Sequence, residues 1–259
     1  MIFYSKDLAI EIKKNIQLNG FHIVNNLIPN DIFNEARLYW INFFSNIQNN
    51  KLPNIKWNVY LGEKNKITFS NNKKEYLYRV YDFYWNKSFH QPSKDLMLEI
   101  SNYIKNEVKN GEKNLNILNE DCYGVYASAS YYPANYGFLT QHSDQLNNSM
   151  LIHHIIPLTF KNKDFSNGGL FIINKNGKKV LIEDLIVPGD IIFYDGNLKH
   201  GVDKIDSSKK DIGRIQLFGI PTNFQKPYYS ESLIEDMDFK FNFITTIKKI
   251  LRLIKNNFK

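Results

Sequence analysis

One cysteine, Cys122, in 259 residues excludes an intrachain disulfide framework and any cysteine-built zinc cluster. No apolar run approaches the roughly 18 residues that a membrane-spanning helix needs. Met1 to Lys14 interleave apolar and charged side chains and lack the apolar stretch of a signal peptide, so the chain reads as soluble and cytoplasmic. The last twenty residues, 240–259, hold six lysines and arginines and no carboxylate. The formal charge of +7 therefore belongs to that tail, leaving a nearly neutral body and no broad basic surface for nucleic acid. What the chain does have is core material. Hydrophobic residues make up 43%, with 19 Phe and 16 Tyr, which excludes the disordered and low-complexity classes.

The pattern divides into a helical front and a strand-rich back. Residues 6–18 predict a helix stopped by Asn19-Gly20, then a short strand FHIVNNLI, then a second helix from Pro29-Asn30-Asp31 to about Gln48. A strand-like aromatic run lies at 76–85, and Ser93 looks like the cap of a third helix running to about Gly111. From Cys122 to Pro221 come eight short runs rich in Val, Ile, Phe and Tyr, punctuated by Gly, Pro, Asn and Asp. Eight closely spaced strands predict a jelly roll or barrel. The expected architecture is mainly β with flanking α: a single domain over 1–259. Residues 1–121 form a helical and mixed buttress, 122–221 the strand core and 222–259 a C-terminal extension.

Six histidines narrow the search for chemistry. His142-Ser143-Asp144 is the only His-x-Asp in the chain, and residues two apart on an extended strand face the same way. His200 opens a later strand, so the jelly roll can bring it to the same place. Two histidines and a carboxylate on one face of an ion leave positions open, as in non-haem iron(II) sites. Arg214 heads the last strand; a guanidinium inside an aromatic barrel needs an anion and fits a carboxylate bidentately. A small dicarboxylate can then chelate a metal at one end and meet Arg214 at the other.

Taken in order, QHSD (141–144), GGLFI (168–172), VPGDIIFYDGNLKHGV (187–202) and GRIQLFGIP (213–221) resemble the Fe(II)- and 2-oxoglutarate-dependent oxygenases. The segment LNGFHIVNNLIPNDIF (18–33) is similar to the entry segment of their phytanoyl-CoA and prolyl 4-hydroxylase branches. The resemblance implies a double-stranded β-helix (a cupin-like jelly roll) with His142, Asp144 and His200 as iron ligands. It implies that Arg214 binds the distal carboxylate of 2-oxoglutarate, with Tyr132 helping to hold it. The implied cofactors are Fe(II), 2-oxoglutarate as co-substrate and O2. The implied activity is that of a dioxygenase, a hydroxylase acting on a C–H bond of a small molecule or side chain with release of succinate and CO2. Family halogenases carry a small residue in place of Asp144, so its presence favours hydroxylation or desaturation. Repair relatives that act on nucleic acid carry a second arginine six residues past the first, where this chain has Ile220.

Other residues have plainer readings. His153 and His154 face opposite ways on a strand, so one lines the interior and the other a packed or outer face. Asp190 fixes a turn, Cys122 is a small buried hydrophobe, and Arg79 stacks or pairs among aromatics unless it meets substrate. Residues 241–259 predict a basic amphipathic helix whose apolar face fits the barrel or a second subunit, with peripheral contact to an anionic membrane as the alternative. The rival functions are a cupin-type metal-dependent isomerase or epimerase, and a non-catalytic jelly roll used as a sensor or binding module. Cupins usually show His-x-His followed by Glu, which is lacking here.

Overall fold

The computed structural model describes residues 5–48, 66–82, 88–108, 123–144, 151–207 and 212–223. The first helix, α1 (Lys6–Asn19), begins where the Ser5 hydroxyl accepts the Leu8 N–H. It ends at Gly20, whose φ of 90° lets its own N–H reach the Ile16 carbonyl. Strand β1 (Phe21–Val24) ends four residues short of the expected run FHIVNNLI, and helix α2 (Asn30–Gln48) follows as the sequence predicts. The next stretch holds a hairpin, β2 (Lys66–Asn71) and β3 (Glu75–Asp82), where only the second strand was expected. Helix α3 (Gln91–Tyr103) starts ahead of the expected Ser93, because Pro92 suits the first turn of a helix. Ser93 is instead buried, and its hydroxyl accepts the Trp40 indole N–H at 3.0 Å. The α-helix also stops before Gly111, giving way to a π-helical turn at Ile104–Val108.

The eight expected core strands are all present: β4 (Tyr123–Pro133), β5 (Phe138–His142), β6 (Ile152–Pro157), β7 (Asn167–Ile173), β8 (Lys179–Leu181), β9 (Ile191–Asp195), β10 (His200–Asp206) and β11 (Gly213–Asn223). The run KKVLIED holds only three strand residues and then turns into a 3-10 segment, Ile182–Asp184. All pairings are antiparallel, in the order β1-β9-β6-β11-β4-β3-β5-β10-β7-β8, with β2 on the free side of β3. From β4 onward the chain alternates between the two halves of this order, except that β7 and β8 form a hairpin within one half; this is the signature of a double-stranded β-helix. Strand β3 joins the halves, pairing with β4 over Tyr78–Asp82 and with β5 over Glu75–Tyr76.

Alternation along the strands sorts side chains to two faces. One face of the β4 half carries Ala129, Tyr131 and Leu217, packed with Trp40, Phe44, Ile100 and Ile104 of the helices. The opposite face carries Ser130, Tyr132, Arg214 and Gln216, and looks into the barrel. His154 lies on the helix side, where Gly219 makes room for it: a Cβ there would come within 2.1 Å of its ring. Burial pushes His154 down to about 3 from an ordinary 6.5, against a weaker pull from the Met97 backbone. Below pH 6.5 the unfolded chain therefore binds a proton that the folded chain refuses. Stability is full above that pH and falls by up to about 1.4 kcal/mol per unit as pH drops toward 3. In His154→Gln the slope of unfolding free energy against pH should be shallower by about one proton across this window. An unchanged slope would show that the ring is not buried neutral.

Candidate metal centre

His142 ends β5 and His200 begins β10, and the two are direct partners on one rung of the ladder. Opposed antiparallel residues hold their Cβ atoms about 5 Å apart, so the rung itself sets the spacing of the imidazoles. Their ring centroids are 4.4 Å apart. Asp144 lies just past β5, and its N–H donates to the Gly196 carbonyl at 2.8 Å. The result is a cluster in which one ligand atom from each of His142, Asp144 and His200 lies within 4.8 Å of the others. The Asp144 carboxylate sits 3.5 Å from Nε2 of His142 and 3.2 Å from Nε2 of His200.

The tautomers suit a cation. Nδ1 of His142 is 3.0 Å from the Thr140 carbonyl, and Nδ1 of His200 is 2.8 Å from the Leu198 carbonyl. A carbonyl only accepts, so each Nδ1 carries the proton and each Nε2 presents its lone pair toward the carboxylate. Burial, helped by His200, lowers the His142 pKa against the pull of Asp144, which keeps that lone pair available. Burial alone would raise Asp144; the His200 ring 3.2 Å away, with His153 and His142 behind it, holds it well below the usual carboxylate range. Two imidazole Nε2 atoms and a carboxylate, converging within 4.8 Å of one another, fit a divalent first-row metal.

The turn Asp195-Gly196-Asn197 holds this arrangement together. Gly196 receives Asp144 through its carbonyl and donates to the Leu151 carbonyl at 2.7 Å. Asp195 Oδ1 accepts from the N–H groups of Leu151 and Asn197. Gly196 also leaves room for His153: a Cβ would fall 2.4 Å from Nε2 of that ring. Of the two adjacent histidines, His153 is the one facing inward. Its Nδ1 lies 3.0 Å from the Tyr194 hydroxyl and 3.6 Å from the Asp144 carboxylate. Burial holds it near 3 and therefore neutral. Asp190 is a turn clamp, as its sequence context suggests, accepting from Asn25, Asn26 and Val187.

The second expected element, Arg214, lies on the interior face of β11, across from Tyr132. Arg214 is fully buried and does meet an anion, but that anion belongs to the protein. Its Nε donates to Glu183 Oε1 at 2.5 Å and its Nη1 to the Gln216 side chain. Glu183 also accepts the Leu170 N–H at 2.9 Å. It fits only because Gly169 has no side chain, a Cβ there falling 2.2 Å from Glu183 Cγ. Tyr132 is buried beside the pair, with the Arg214 guanidinium 5.8 Å from its ring centroid. Arg79 reaches the same interior from β3, stacked over Phe218 and Tyr81, with Nε donating to Ser130 Oγ at 3.3 Å. Cys122 and residues 224–259, with the predicted basic helix, lie outside the described residues. Among the described residues no helix is long and apolar enough to cross a membrane.

No protein-family model and no curated protein matches the chain in sequence. Solved structures do match it. A prolyl 4-hydroxylase of Pseudomonas putida superposes with a TM-score of 0.56 at 10% identity, covering 82% of this chain and 97% of its own. The non-haem alpha-ketoglutarate-dependent epimerase SnoN of nogalamycin biosynthesis gives 0.55 at 8% identity, covering 85% and 84%. A prolyl hydroxylase of Trichoplax adhaerens gives 0.52 at 15% identity, covering 86% and 92%. The fold is that of the 2-oxoglutarate–iron(II) oxygenases. Within this oxygenase fold, the His142–Asp144–His200 cluster stands between the two halves of the β-helix, on strands β5 and β10 and the segment that follows β5.

Proposed function

We propose that the protein is an iron(II)- and 2-oxoglutarate-dependent dioxygenase that hydroxylates an unactivated C–H bond of a small molecule or side chain. The observation that carries this reading is the geometry of the triad: two Nε2 lone pairs and one carboxylate converging, each imidazole locked by a backbone carbonyl. His142, Asp144 and His200 would hold the iron, leaving further positions for a chelating keto acid and O2. When bound, iron and 2-oxoglutarate supply the oxidising chemistry, with O2 consumed and succinate and CO2 released.

The chain's own contribution is ligation, orientation and dryness. Asp144 and His200 are buried while the His142 side chain is 36% exposed, so the site opens on the His142 side. His153 and Tyr194 sit behind Asp144 and restrict where its second oxygen can turn. Ile155 and Ile192 share strands with His153 and Tyr194, Ile172 pairs across from His200 and Leu170 from Val202; all four are buried and keep bulk water from the interior. Asp144 supports hydroxylation because a carboxylate ligand leaves no place for halide. SnoN, which has the same fold, is an epimerase, so the outcome of the reaction is set by the substrate and how it is held.

The test is an anaerobic titration of metal-free protein with Fe(II) and then 2-oxoglutarate. A visible charge-transfer band that needs both additions is the expected result. Metal binding without the band would move the weight to a cupin-like enzyme or a non-catalytic barrel.

A further inference from the structure

Strand β5 does not meet its two neighbours in one register. Toward β3 it runs in step: Phe138 lies opposite Tyr76, Leu139 opposite Glu75, and the Thr140 N–H donates to the Lys74 carbonyl at 2.8 Å. Toward β10 it pairs Leu139 with Val202 and His142 with His200. Three steps along β5 thus match two along β10, and Thr140 and Gln141 together stand opposite Gly201. Such a β-bulge leaves its extra residue out of the ladder and re-aims the side chains beside it. Gly201 makes room for the close approach: a Cβ there would fall 2.8 Å from the Leu139 carbonyl and 2.9 Å from the Phe171 ring.

The extra residue fills no space in the barrel, because the side chains of Thr140 and Gln141 are both exposed. What the bulge supplies is a carbonyl. In a regular strand the carbonyls lie in the plane of the sheet and face the neighbouring strands, while the side chains stand perpendicular to it. An imidazole on a regular strand therefore finds no acceptor two residues behind it. Both histidines of the triad have one, each from irregular backbone. His200 Nδ1 donates to the Leu198 carbonyl at 2.8 Å, in a turn closed by the Leu198 N–H on the Asp195 carbonyl. His142 Nδ1 donates to the Thr140 carbonyl at 3.0 Å, within the bulge. The need is greater at His142, the more exposed of the two, where packing alone does not hold the ring.

We propose that the Thr140-Gln141 bulge is a positioning device for the metal. It turns the Thr140 carbonyl onto Nδ1 of His142 and so fixes the tautomer and the aim of the more exposed ligand. Thr140 and Gln141 act through His142 and are positioning residues. This rests on the oxygenase reading above. It also ties the β2–β3 hairpin to the metal site, because the Lys74 carbonyl holds Thr140 from the side away from β10.

The test removes the bulge by deleting Gln141. That leaves Thr140 alone opposite Gly201 and keeps His142 opposite His200. Tautomers are read from long-range proton–nitrogen spectra of the metal-free, full-length protein at alkaline pH, with the His142 signal assigned by its loss in His142→Asn. In the wild type, His142 and His200 should both carry the proton on Nδ1. In the deletion, His142 should move to an Nε2 proton or to a mixture of the two forms. His200 and the buried His154 should keep their signals, which reports an intact fold. Mn(II) affinity should fall about 10-fold, the low end of what losing a supporting group around a metal costs. An unchanged His142 tautomer in the folded deletion, or an unchanged Mn(II) affinity, overturns the proposal. Should the deletion not fold, the wild type decides: a His142 proton on Nε2, or shared between the two nitrogens, overturns it as well. A wild type that binds no Mn(II) would instead sink the oxygenase reading itself, and this proposal with it.

Discussion

Replacing His200 with alanine is expected to lower divalent-metal affinity by more than about 100-fold, beyond the roughly 10- to 100-fold typical when only a supporting residue around a metal is lost. His200 is the more buried of the two imidazoles, its side chain 5% exposed against 36% for His142, and it makes the closest approach to the Asp144 carboxylate. Its removal takes away one of the three proposed ligands and leaves that carboxylate buried with one partner fewer. Competitive Mn(II) titration measures the effect directly. His142→Ala removes the other ligand of the rung and should also abolish iron-dependent turnover. Metal affinity unchanged in both variants would remove the triad as the ligand set.

The second large effect concerns stability. Arg214→Ala leaves Glu183 charged, its side chain 1% exposed, with no guanidinium opposite. Losing one member of a buried pair costs about 3–5 kcal/mol, because the remaining charge is stranded. Denaturant unfolding of Arg214→Ala should show a loss of that size. The double variant Arg214→Met with Glu183→Leu should recover most of it, since well-packed apolar side chains replace buried pairs at little net cost. If Arg214→Ala costs less than about 1 kcal/mol, the two side chains do not act as a buried pair.

Much of this site was legible before any fold was known, for physical reasons. His142 and Asp144 are two apart at a strand end, and that spacing alone puts both on one side. His200 follows a Pro-Gly-Asp turn and a five-residue strand, so its place at the head of β10 is fixed locally. The eight core strands were legible because Gly, Asn, Asp and Pro punctuate short apolar runs.

What was not legible depends on closure of the sheet. Glu183 looked like the end of a strand; its meaning comes from Gly169 and Arg214, 14 positions before it and 31 after. Likewise, nothing near Arg79 signals that β3 inserts between β4 and β5 and turns that side chain inward. Strand β2 was missed because Lys66 and the polar Thr68, Ser70 and Asn71 dilute its apolar pattern. Helix α3 was started late because Ser93 looks like a cap in sequence, whereas its hydroxyl serves Trp40 across the core.

Strand β3 has one more consequence, for how the molecule comes apart. One half of a sandwich can ordinarily open while the other stays protected, because side chains alone connect them. Here a single strand is laddered to both halves, to β4 at one end and β5 at the other. Opening either half breaks backbone pairs of β3. Amide protons of the two halves are therefore expected to exchange with a common opening free energy, as one cooperative unit, with those of β3 among the slowest.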